Sequence, residues 1–146
     1  MFERKNYMIE ALHCGSASVA ERGKVGIVAE LTDGTIVGDH NHVPRLMENK
    51  KCEFDDRDKT KPEVLHAEES LVAQCCNTGK SLLGATVYIT RTPCKNCAAI
   101  LAEAGISRLF WFSEHPHGDG LPVLEECGVA TEQLNFPQDI IEEKYL

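Results

Sequence analysis

The alternation of strand-like and helix-like segments predicts an α/β protein with three layers, in which helices cover both faces of a mixed central sheet. Short apolar runs bounded by turn residues predict the strands, and longer segments with helical periodicity that end at glycine predict the helices. The pair at 33–34, Asp-Gly, lies between two strand-like runs and predicts a hairpin. The length of 146 residues suits a single domain that spans 1–146.

The first half of the chain predicts one helix and two strands. Residues 6–21 are expected to form an amphipathic helix, because apolar side chains recur there at helical spacing. Strands are expected at 24–31 and 35–37, on either side of the hairpin turn. Residues 48–63 are highly charged and lack an apolar run, which predicts a solvated loop that is either mobile or part of a lid over a site.

The second half of the chain continues the alternation, with elements predicted at 66–78 (helix), 85–90 (strand), 94–104 (helix), 108–112 (strand), 121–127 (helix) and 137–145 (helix). Gly79 and Gly105 are expected to end the first two of these helices. The strand at 108–112 is nearly all apolar, so we expect it to be buried on both faces.

The charge of the chain favours a small substrate. A net charge of −8 speaks against a long nucleic-acid partner, because phosphate backbones are bound by clustered lysine and arginine side chains. A mononucleotide needs only a local group of hydrogen-bond donors, so the overall charge leaves such a ligand open.

The composition also predicts a cellular compartment. No apolar run is long enough to cross a membrane and the amino terminus lacks a signal-peptide pattern, so we expect a cytoplasmic protein without a membrane partner. Seven cysteines would suggest disulfides in a small secreted protein, but nothing in the sequence points to secretion. Five of the cysteines lie outside the motifs described next, and most of them are expected to be buried, reduced thiols (Cys14, Cys52, Cys75, Cys76 and Cys127).

Two short motifs, H-x-E at 66–68 and P-C-x-x-C at 93–97, carry most of the functional information. Zinc prefers imidazole nitrogen and thiolate sulfur, and these motifs supply one imidazole and two thiols. The candidate zinc ligands are therefore His66, Cys94 and Cys97. Three protein ligands leave the fourth position of zinc open for water, which is typical of a catalytic site. Glu68 would be a carboxylate beside the metal that is not a ligand.

Both motifs are expected at the start of a helix. Pro93 suits the first helical position, where its missing N–H costs nothing, and Cys94 and Cys97 would then share one side of the first turn. The partial positive charge of the helix terminus favours thiolates there. His66 and Glu68 would not share a face in mid-helix, but at a helix terminus both can reach a point just beyond it.

The C-x-x-C pair has two other interpretations. Taken alone, such a pair is often half of a structural zinc site or a redox pair. A closed structural site would need a fourth Cys or His at ligand spacing, and a redox pair would more naturally follow the first strand of a thioredoxin-like unit. Neither alternative explains H-x-E before a helix together with P-C-x-x-C after a strand, so the catalytic interpretation is favoured.

With these motifs placed, the chain resembles the cytidine and deoxycytidylate deaminase superfamily over roughly residues 5–130. The metal motif is shared across the superfamily, and the flanking segments are most similar to its nucleotide-deaminating branch. Those segments are Lys24-Val25-Gly26, Asn41 with Pro44, Asp56-Arg57, Gly84 to Thr90 and Ala104-Gly105-Ile106. The resemblance implies a cytidine-deaminase-like α/β/α fold.

The resemblance also implies a reaction, the hydrolytic conversion of dCMP to dUMP and ammonia in pyrimidine nucleotide metabolism. It assigns Zn²⁺ to His66, Cys94 and Cys97, and zinc lowers the pKa of its bound water from ~15.7 towards ~7. Glu68 would take the water's proton and pass it to ring nitrogen N3, which makes C4 electrophilic, and would then deliver a second proton to the departing amino group.

Substrate contacts and assembly are implied in the same way. The backbone N–H of Ala67 would hold the pyrimidine O2, and Asn41 would bind the sugar or the base. Asn41 has a second interpretation, since an Asn that follows a strand is often only a turn residue. The resemblance further implies a homo-oligomer, because members of the superfamily generally assemble and often complete their sites at subunit contacts.

The chain departs from the superfamily pattern at 39–42, where Asp-His-Asn-His stands in place of Gly-Tyr-Asn-Gly. Since that segment takes part in control by end-product nucleotides, the departure puts such regulation in doubt here. His40 and His42 are candidate ligands of a second metal with Cys52, but histidines at alternating positions of a strand end are more often surface residues. His115 and His117 are interpreted as surface residues too.

The residues that would bind a phosphate are the least defined by the sequence. Five basic residues are candidates by position, although most charges in 48–63 are expected to be a solvated face (Arg45, Arg57, Lys59, Lys61 and Arg91). Aromatic residues at 110–112 are expected in the core.

Several functions stay open beside dCMP deamination. They are a deaminase of cytidine, free cytosine or another amino-heterocycle, and, from a different class, a non-catalytic zinc-binding assembly module in which Glu68 is idle. A tRNA adenosine deaminase is disfavoured because the chain is acidic and has no basic stripe.

Overall fold

A computed structural model describes residues 3–56 and 59–134 and contains a five-stranded sheet. Its elements are α1 (Arg4–Ser16), β1 (Gly26–Glu30), β2 (Ile36–His40), α2 (Ala67–Thr78), β3 (Thr86–Arg91), α3 (Lys95–Glu103), β4 (Arg108–Ser113), α4 (Leu121–Glu126) and β5 (Ala130–Gln133). None of the described helices is both long enough and apolar enough to span a membrane. The predicted last helix, at 137–145, lies outside the described residues.

The sheet is mixed, as predicted, with the strand order β2-β1-β3-β4-β5. β1 pairs antiparallel with both β2 and β3, whereas β3, β4 and β5 run parallel to one another. The predicted hairpin joins β1 to β2, and the turn is closed by Asp33 Oδ1, which accepts a hydrogen bond of 2.8 Å from the Thr35 N–H. Gly34 adopts the left-handed conformation (φ 87°) that this tight turn requires.

Helices pack on both faces of the sheet, which confirms the predicted three layers. One face carries α1, whose Met8 and Ala11 are fully buried with Val28 and Tyr88 of the sheet. The opposite face carries α2 and α3 on a larger apolar core, built from residues that include Ile27, Ala29, Leu71, Val87, Ile89, Leu101, Leu109 and Leu124. Alternate residues of β1 therefore face different layers, as strand geometry dictates.

Gly26 lets α1 approach β1 at backbone distance. A Cβ atom at this position would lie 1.8 Å from the Ala11 carbonyl oxygen of α1, and that backbone atom cannot move aside without shifting the helix. We expect Gly26→Ala to destabilise the protein by at least the ~1–3 kcal/mol typical of overpacked sites. Urea unfolding measures the effect, and an unchanged unfolding midpoint would contradict this packing.

The prediction for the first helix was wrong at its carboxyl end, because the helix stops at Ser16 rather than at 21. The Ser18 hydroxyl explains the end: it accepts a hydrogen bond from the Ala20 N–H and donates one to the Asn41 carbonyl. Such local side-chain bonds compete with the helical ladder. Residues 17–25 are consequently a connecting loop between α1 and β1.

Smaller differences concern the strands. β2 extends to His40, beyond the predicted 37, since it pairs along the full length of β1 with Gly26 opposite His40. β5 was not predicted, because the sequence at 130–133 is mostly polar and the strand lies at the edge of the sheet. β4 is buried on both faces only at Leu109 and Phe110. Trp111 is half-buried because this end of the strand approaches the open carboxyl edge of the sheet.

The charged segment 48–63 was predicted as a solvated loop, and that prediction was wrong for two of its residues. Cys52 and Glu53 are buried. Cys52 belongs to a small apolar cluster with Ala20, Val43 and Val64, which fixes the segment against the 17–25 loop. Of the five cysteines outside the metal motif, only Cys52 and Cys75 are buried, so the prediction that most of them are buried was wrong. All seven cysteines are free thiols.

Candidate active site

The structure brings together the side chains of His66, Cys94 and Cys97. One potential ligand atom from each lies within 4.8 Å of the other two, and the His66 Nδ1 is 3.3 Å from the Cys97 Sγ. Within the described part of the chain, no other group of three or more metal-ligating residues meets the same criterion. The geometry therefore agrees with the ligand set that the two motifs predict.

Two helix amino termini meet at this cluster, as the sequence predicts. His66 directly precedes α2, and its backbone N–H donates a hydrogen bond of 2.8 Å to the Glu69 carboxylate, which fixes the helix start. Cys94 directly precedes α3, and its carbonyl accepts from the Ala98 N–H. The expected position of Pro93 was wrong by two residues: α3 begins at Lys95, so that proline lies outside the helix.

The donor set fits zinc. One imidazole nitrogen and two thiols are ligands that Zn²⁺ prefers, and the trio of protein ligands is the number found in catalytic sites. A closed structural site would add a fourth ligand, and no fourth His, Cys, Asp or Glu of the described residues joins the group. The same arrangement disfavours a redox pair, since His66 lies within contact distance of Cys97.

Glu68 is buried beside the metal cluster, with 4% of its surface exposed, in the first turn of α2. Burial raises the pKa of the Glu68 carboxyl above its ordinary value. This effect outweighs the opposing effects of its own backbone N–H, of His66 and of a hydrogen bond from Cys97. A carboxyl whose proton affinity is increased by its surroundings is suited to move protons near neutral pH. Burial and the Glu68 charge also raise the pKa of the Cys97 thiol, which a bound metal would oppose by deprotonating it.

The cluster opens into a cavity of about 460 Å³, a volume typical of small-ligand sites. The lining residues are Arg22, Gly23, Val25, Asn41, Thr60, Val64, His66, Ala67, Glu68, Arg91, Thr92, Cys94, His115, Pro116 and His117. Glu68 is the only carboxylate among these described residues, and two arginines accompany it. The cavity therefore suits an anionic ligand even though the chain as a whole is acidic.

Residues 1–113 match the family model of the cytidine and deoxycytidylate deaminase zinc-binding region. The chain belongs to this deaminase family. The match includes both metal motifs and Asn41, so the zinc-binding region of the family coincides with the cluster of His66, Cys94 and Cys97. The family and the donor set therefore both indicate zinc as the cofactor.

Individual relatives support the same assignment. The crystal structure of dCMP deaminase from the cyanophage S-TIM5 in complex with dCMP and dUMP superposes with a TM-score of 0.84 at 28% identity, over 92% of this chain and 100% of that chain. ComE operon protein 2 of Bacillus subtilis is 31% identical over 84 residues, which are 56% of this chain and 43% of that relative, so less than half of its length is matched. The tRNA-specific adenosine deaminase of Agrobacterium fabrum is 31% identical over 121 residues, 81% of this chain and 70% of that relative.

Asn41 lines the cavity and is also a structural residue. Its Oδ1 accepts a hydrogen bond of 3.0 Å from the Val25 N–H, and its Nδ2 donates one of 2.8 Å to the Gly23 carbonyl. Each amide atom can make one more hydrogen bond, so the side chain keeps one donor and one acceptor site for a ligand. The two interpretations of this residue are therefore compatible.

The structure separates the candidate phosphate-binding residues. Arg91 lines the cavity, whereas the Arg45 guanidinium is 2.8 Å from the buried Asp39 carboxylate and does not line it. Lys59 and Lys61 are not among the lining residues, and Arg57 lies outside the described residues.

A second metal site at His40, His42 and Cys52 is not formed, because these residues do not come together as a ligand group in the described chain. The surface interpretation of His42 was also wrong. Its ring is partly buried, with Nε2 2.6 Å from the Ser70 hydroxyl and Nδ1 2.5 Å from the Val43 carbonyl. It thereby joins the end of β2 to α2, the helix that carries Glu68.

Sequence reasoning missed three titratable residues of the cavity lining, namely Arg22, His115 and His117. Arg22 is a basic residue in the loop before β1, and the two histidines follow the carboxyl end of β4. Position after the carboxyl end of a parallel strand is a usable signal, because α/β proteins bind ligands at that edge. Burial and the nearby Arg91 charge lower the pKa of His115, which favours its neutral ring.

Proposed function

We propose that the chain is a zinc-dependent deaminase that hydrolyses dCMP to dUMP and ammonia. The observation that carries this proposal is the composition of one cavity, in which a three-ligand metal cluster, a buried Glu68 and two arginines lie together. The similarity in fold to a dCMP deaminase over that enzyme's whole length supports the same substrate.

The reaction divides between the metal and the carboxylate. Zinc held by His66, Cys94 and Cys97 would supply a water of lowered pKa as the nucleophile. Glu68 accepts a proton at its carboxylate and delivers it to ring nitrogen N3, so that C4 becomes electrophilic. Once the water oxygen has bonded to C4, Glu68 would take a second proton from the resulting hydroxyl group and deliver it to the exocyclic amino group, whose bond to C4 breaks to release ammonia. The buried environment of Glu68 supports both transfers by raising its proton affinity.

Orientation of the pyrimidine falls to backbone and amide groups. Ala67 is the first residue of α2 and lines the cavity, and N–H groups in a first helical turn have no intrahelical acceptor. We assign its N–H to the pyrimidine O2. Asn41 would use its remaining hydrogen-bonding capacity on the sugar or base, in a position fixed by its two backbone bonds.

The phosphate is assigned to Arg22 and Arg91. Among the described residues neither guanidinium forms an ion pair with a carboxylate, and both line the cavity. Arg91 also reaches over Gly23, where a Cβ atom would lie 2.6 Å from its Nη1. The absence of a side chain at position 23 leaves room for this arginine at the cavity.

We expect Arg91→Ala to raise KM for dCMP by about 10-fold to 100-fold, the range for losing hydrogen bonds to a charged group, while KM for deoxycytidine stays unchanged. Steady-state kinetics with both substrates measures the difference. Arg108→Ala is the matched control, because Arg108 is exposed at the start of β4 and outside the cavity. Equal effects of Arg91→Ala on both substrates would remove this residue from phosphate binding.

A second candidate is the deamination of adenosine in tRNA, which the extensive match to a tRNA-specific deaminase favours. The net charge of −8 disfavours an RNA partner. An anticodon stem–loop RNA offered beside dCMP separates the two, since only inosine formation in the RNA would support the second candidate.

Assembly is a further part of the proposal. The family resemblance implies a homo-oligomer, and Leu46, Phe54 and Leu83 are exposed apolar side chains that a subunit contact could cover. Light scattering at several concentrations gives the mass of the particle, and a monomer at every concentration would contradict the proposed assembly.

A further inference from the structure

The loop at 17–25 places two residues, Arg22 and Gly23, at the cavity. Both ends of the loop are held by Asn41, whose carbonyl accepts from the Ser18 hydroxyl and whose side chain binds Gly23 and Val25. The middle of the loop is not held by these contacts.

The middle of the loop is held by the carboxylate of Glu53. Its Oε1 accepts a hydrogen bond of 2.8 Å from the Glu21 N–H and one of 3.0 Å from the Arg22 N–H. The Glu53 residue is buried, with 6% of its surface exposed, although it comes from the most charged segment of the chain. A buried carboxylate is costly unless it is hydrogen-bonded, so these two backbone donors account for its position.

The position of Glu53 is itself fixed by contacts of its own segment. Glu53 pairs with Thr60 in a short antiparallel bridge, and the carbonyl of the neighbouring Cys52 accepts a hydrogen bond of 2.8 Å from the Lys61 N–H. Cys52 also packs with Ala20 in the third apolar cluster. The 48–63 segment therefore contacts the 17–25 loop through the Cys52 side chain and through the Glu53 carboxylate. Thr60 of the same segment lines the cavity.

We propose that Glu53 is a positioning residue for nucleotide binding: by binding the Arg22 N–H, its carboxylate holds this arginine where the guanidinium meets the substrate's 5′-phosphate. The inference rests on the proposed function, since it needs a phosphorylated substrate. Glu53 is not among the described residues that line the cavity with Glu68, so its contribution is to affinity for the phosphate and not to the chemical step. A carboxylate makes stronger bonds to N–H groups than an amide does, which predicts a graded effect of Glu53→Gln and Glu53→Ala.

The test compares kinetics on dCMP and deoxycytidine for Glu53→Ala, Glu53→Gln, Arg22→Ala and the double variant. Glu53→Ala should raise KM for dCMP about tenfold, the loss expected for hydrogen bonds to a charged group, with kcat and the deoxycytidine kinetics unchanged. Glu53→Gln should lie between the wild type and Glu53→Ala. In the Arg22→Ala background, replacing Glu53 should have no further effect. Glu48→Ala is the control, since it removes an exposed carboxylate from the same segment.

Binding without turnover separates this inference from the proposed function. Calorimetry with dUMP and deoxyuridine should show that Glu53→Ala weakens only the phosphorylated ligand. A wild type that binds dUMP tighter than deoxyuridine but does not deaminate dCMP would contradict the function and leave Glu53 in its role. Equal affinities for dUMP and deoxyuridine, equal losses for both ligands in Glu53→Ala, or additive effects in the double variant would overturn the inference. If Glu53→Ala proves too unstable, the same readouts for Glu53→Gln decide.

Discussion

Replacing Glu68 with alanine is expected to lower kcat for dCMP by at least ~10²–10⁴-fold, the contribution of a general acid–base group, while zinc stays bound. The carboxylate is buried beside the metal cluster but is not one of its three ligand residues, so its removal takes away the proton carrier and leaves the ligand set complete. Kinetics on dCMP and metal analysis of the same preparation measure the two parts of the expectation.

Two further variants make the Glu68 result interpretable. Glu68→Gln preserves the shape of the side chain and should be as inactive as Glu68→Ala, because an amide cannot shuttle a proton. Glu63→Ala removes an exposed carboxylate just before α2 and should leave kcat unchanged. Zinc loss in Glu68→Ala would make this residue structural, and unchanged turnover would remove it from the mechanism.

Loss of a metal ligand should have the second large effect. Cys97→Ala removes one of two thiols from the cluster, and we expect the protein to lose its zinc and its deaminase activity together. Since metal binding also stabilises the folded chain, the thermal unfolding midpoint should fall as well. Cys127→Ala is the matched control, because this exposed thiol lies outside the cluster and should affect none of the three readouts.

Retained activity after exhaustive zinc removal would contradict the metal assignment. Zinc retention by Cys97→Ala at wild-type affinity would do so too. Activity restored to the metal-free wild type by added zinc, but not to Cys97→Ala, would tie both losses to the same three-residue cluster.

The metal cluster was predictable because local sequence determines it. H-x-E before a helix and P-C-x-x-C after a strand each place their side chains at a helix amino terminus, and Glu69 three residues after His66 is a capping signal that the sequence already contains. The exact start of α3 differed, since the helix begins at Lys95 and not at Pro93. The mixed sheet brings the two termini together, because α2 follows β2, α3 follows β3, and these two strands run in the same direction on either side of β1.

The rest of the cavity depends on contacts between distant segments, which no local pattern contains. Arg22 reaches the cavity because Glu53, 31 residues away, binds its backbone. Glu53 lies in a segment whose high charge predicts solvent exposure. It is buried because the neighbouring Cys52 packs in an apolar cluster and because its carboxylate accepts hydrogen bonds from two backbone N–H groups. The end of α1 was also missed because it depends on a distant contact: the Ser18 hydroxyl donates a hydrogen bond to the carbonyl of Asn41, which follows β2.

The most direct test of the account is a substrate panel for the zinc-loaded wild type, with product identified by chromatography and ammonia release as a second readout. The panel contains dCMP, CMP, deoxycytidine, cytidine, cytosine and an anticodon stem–loop RNA. The account predicts that kcat/KM is highest for dCMP, with dUMP and ammonia formed in equal amounts. Activity confined to unphosphorylated compounds or to the RNA would contradict the proposed substrate, and no turnover of any compound by zinc-bound protein would contradict the proposed enzyme.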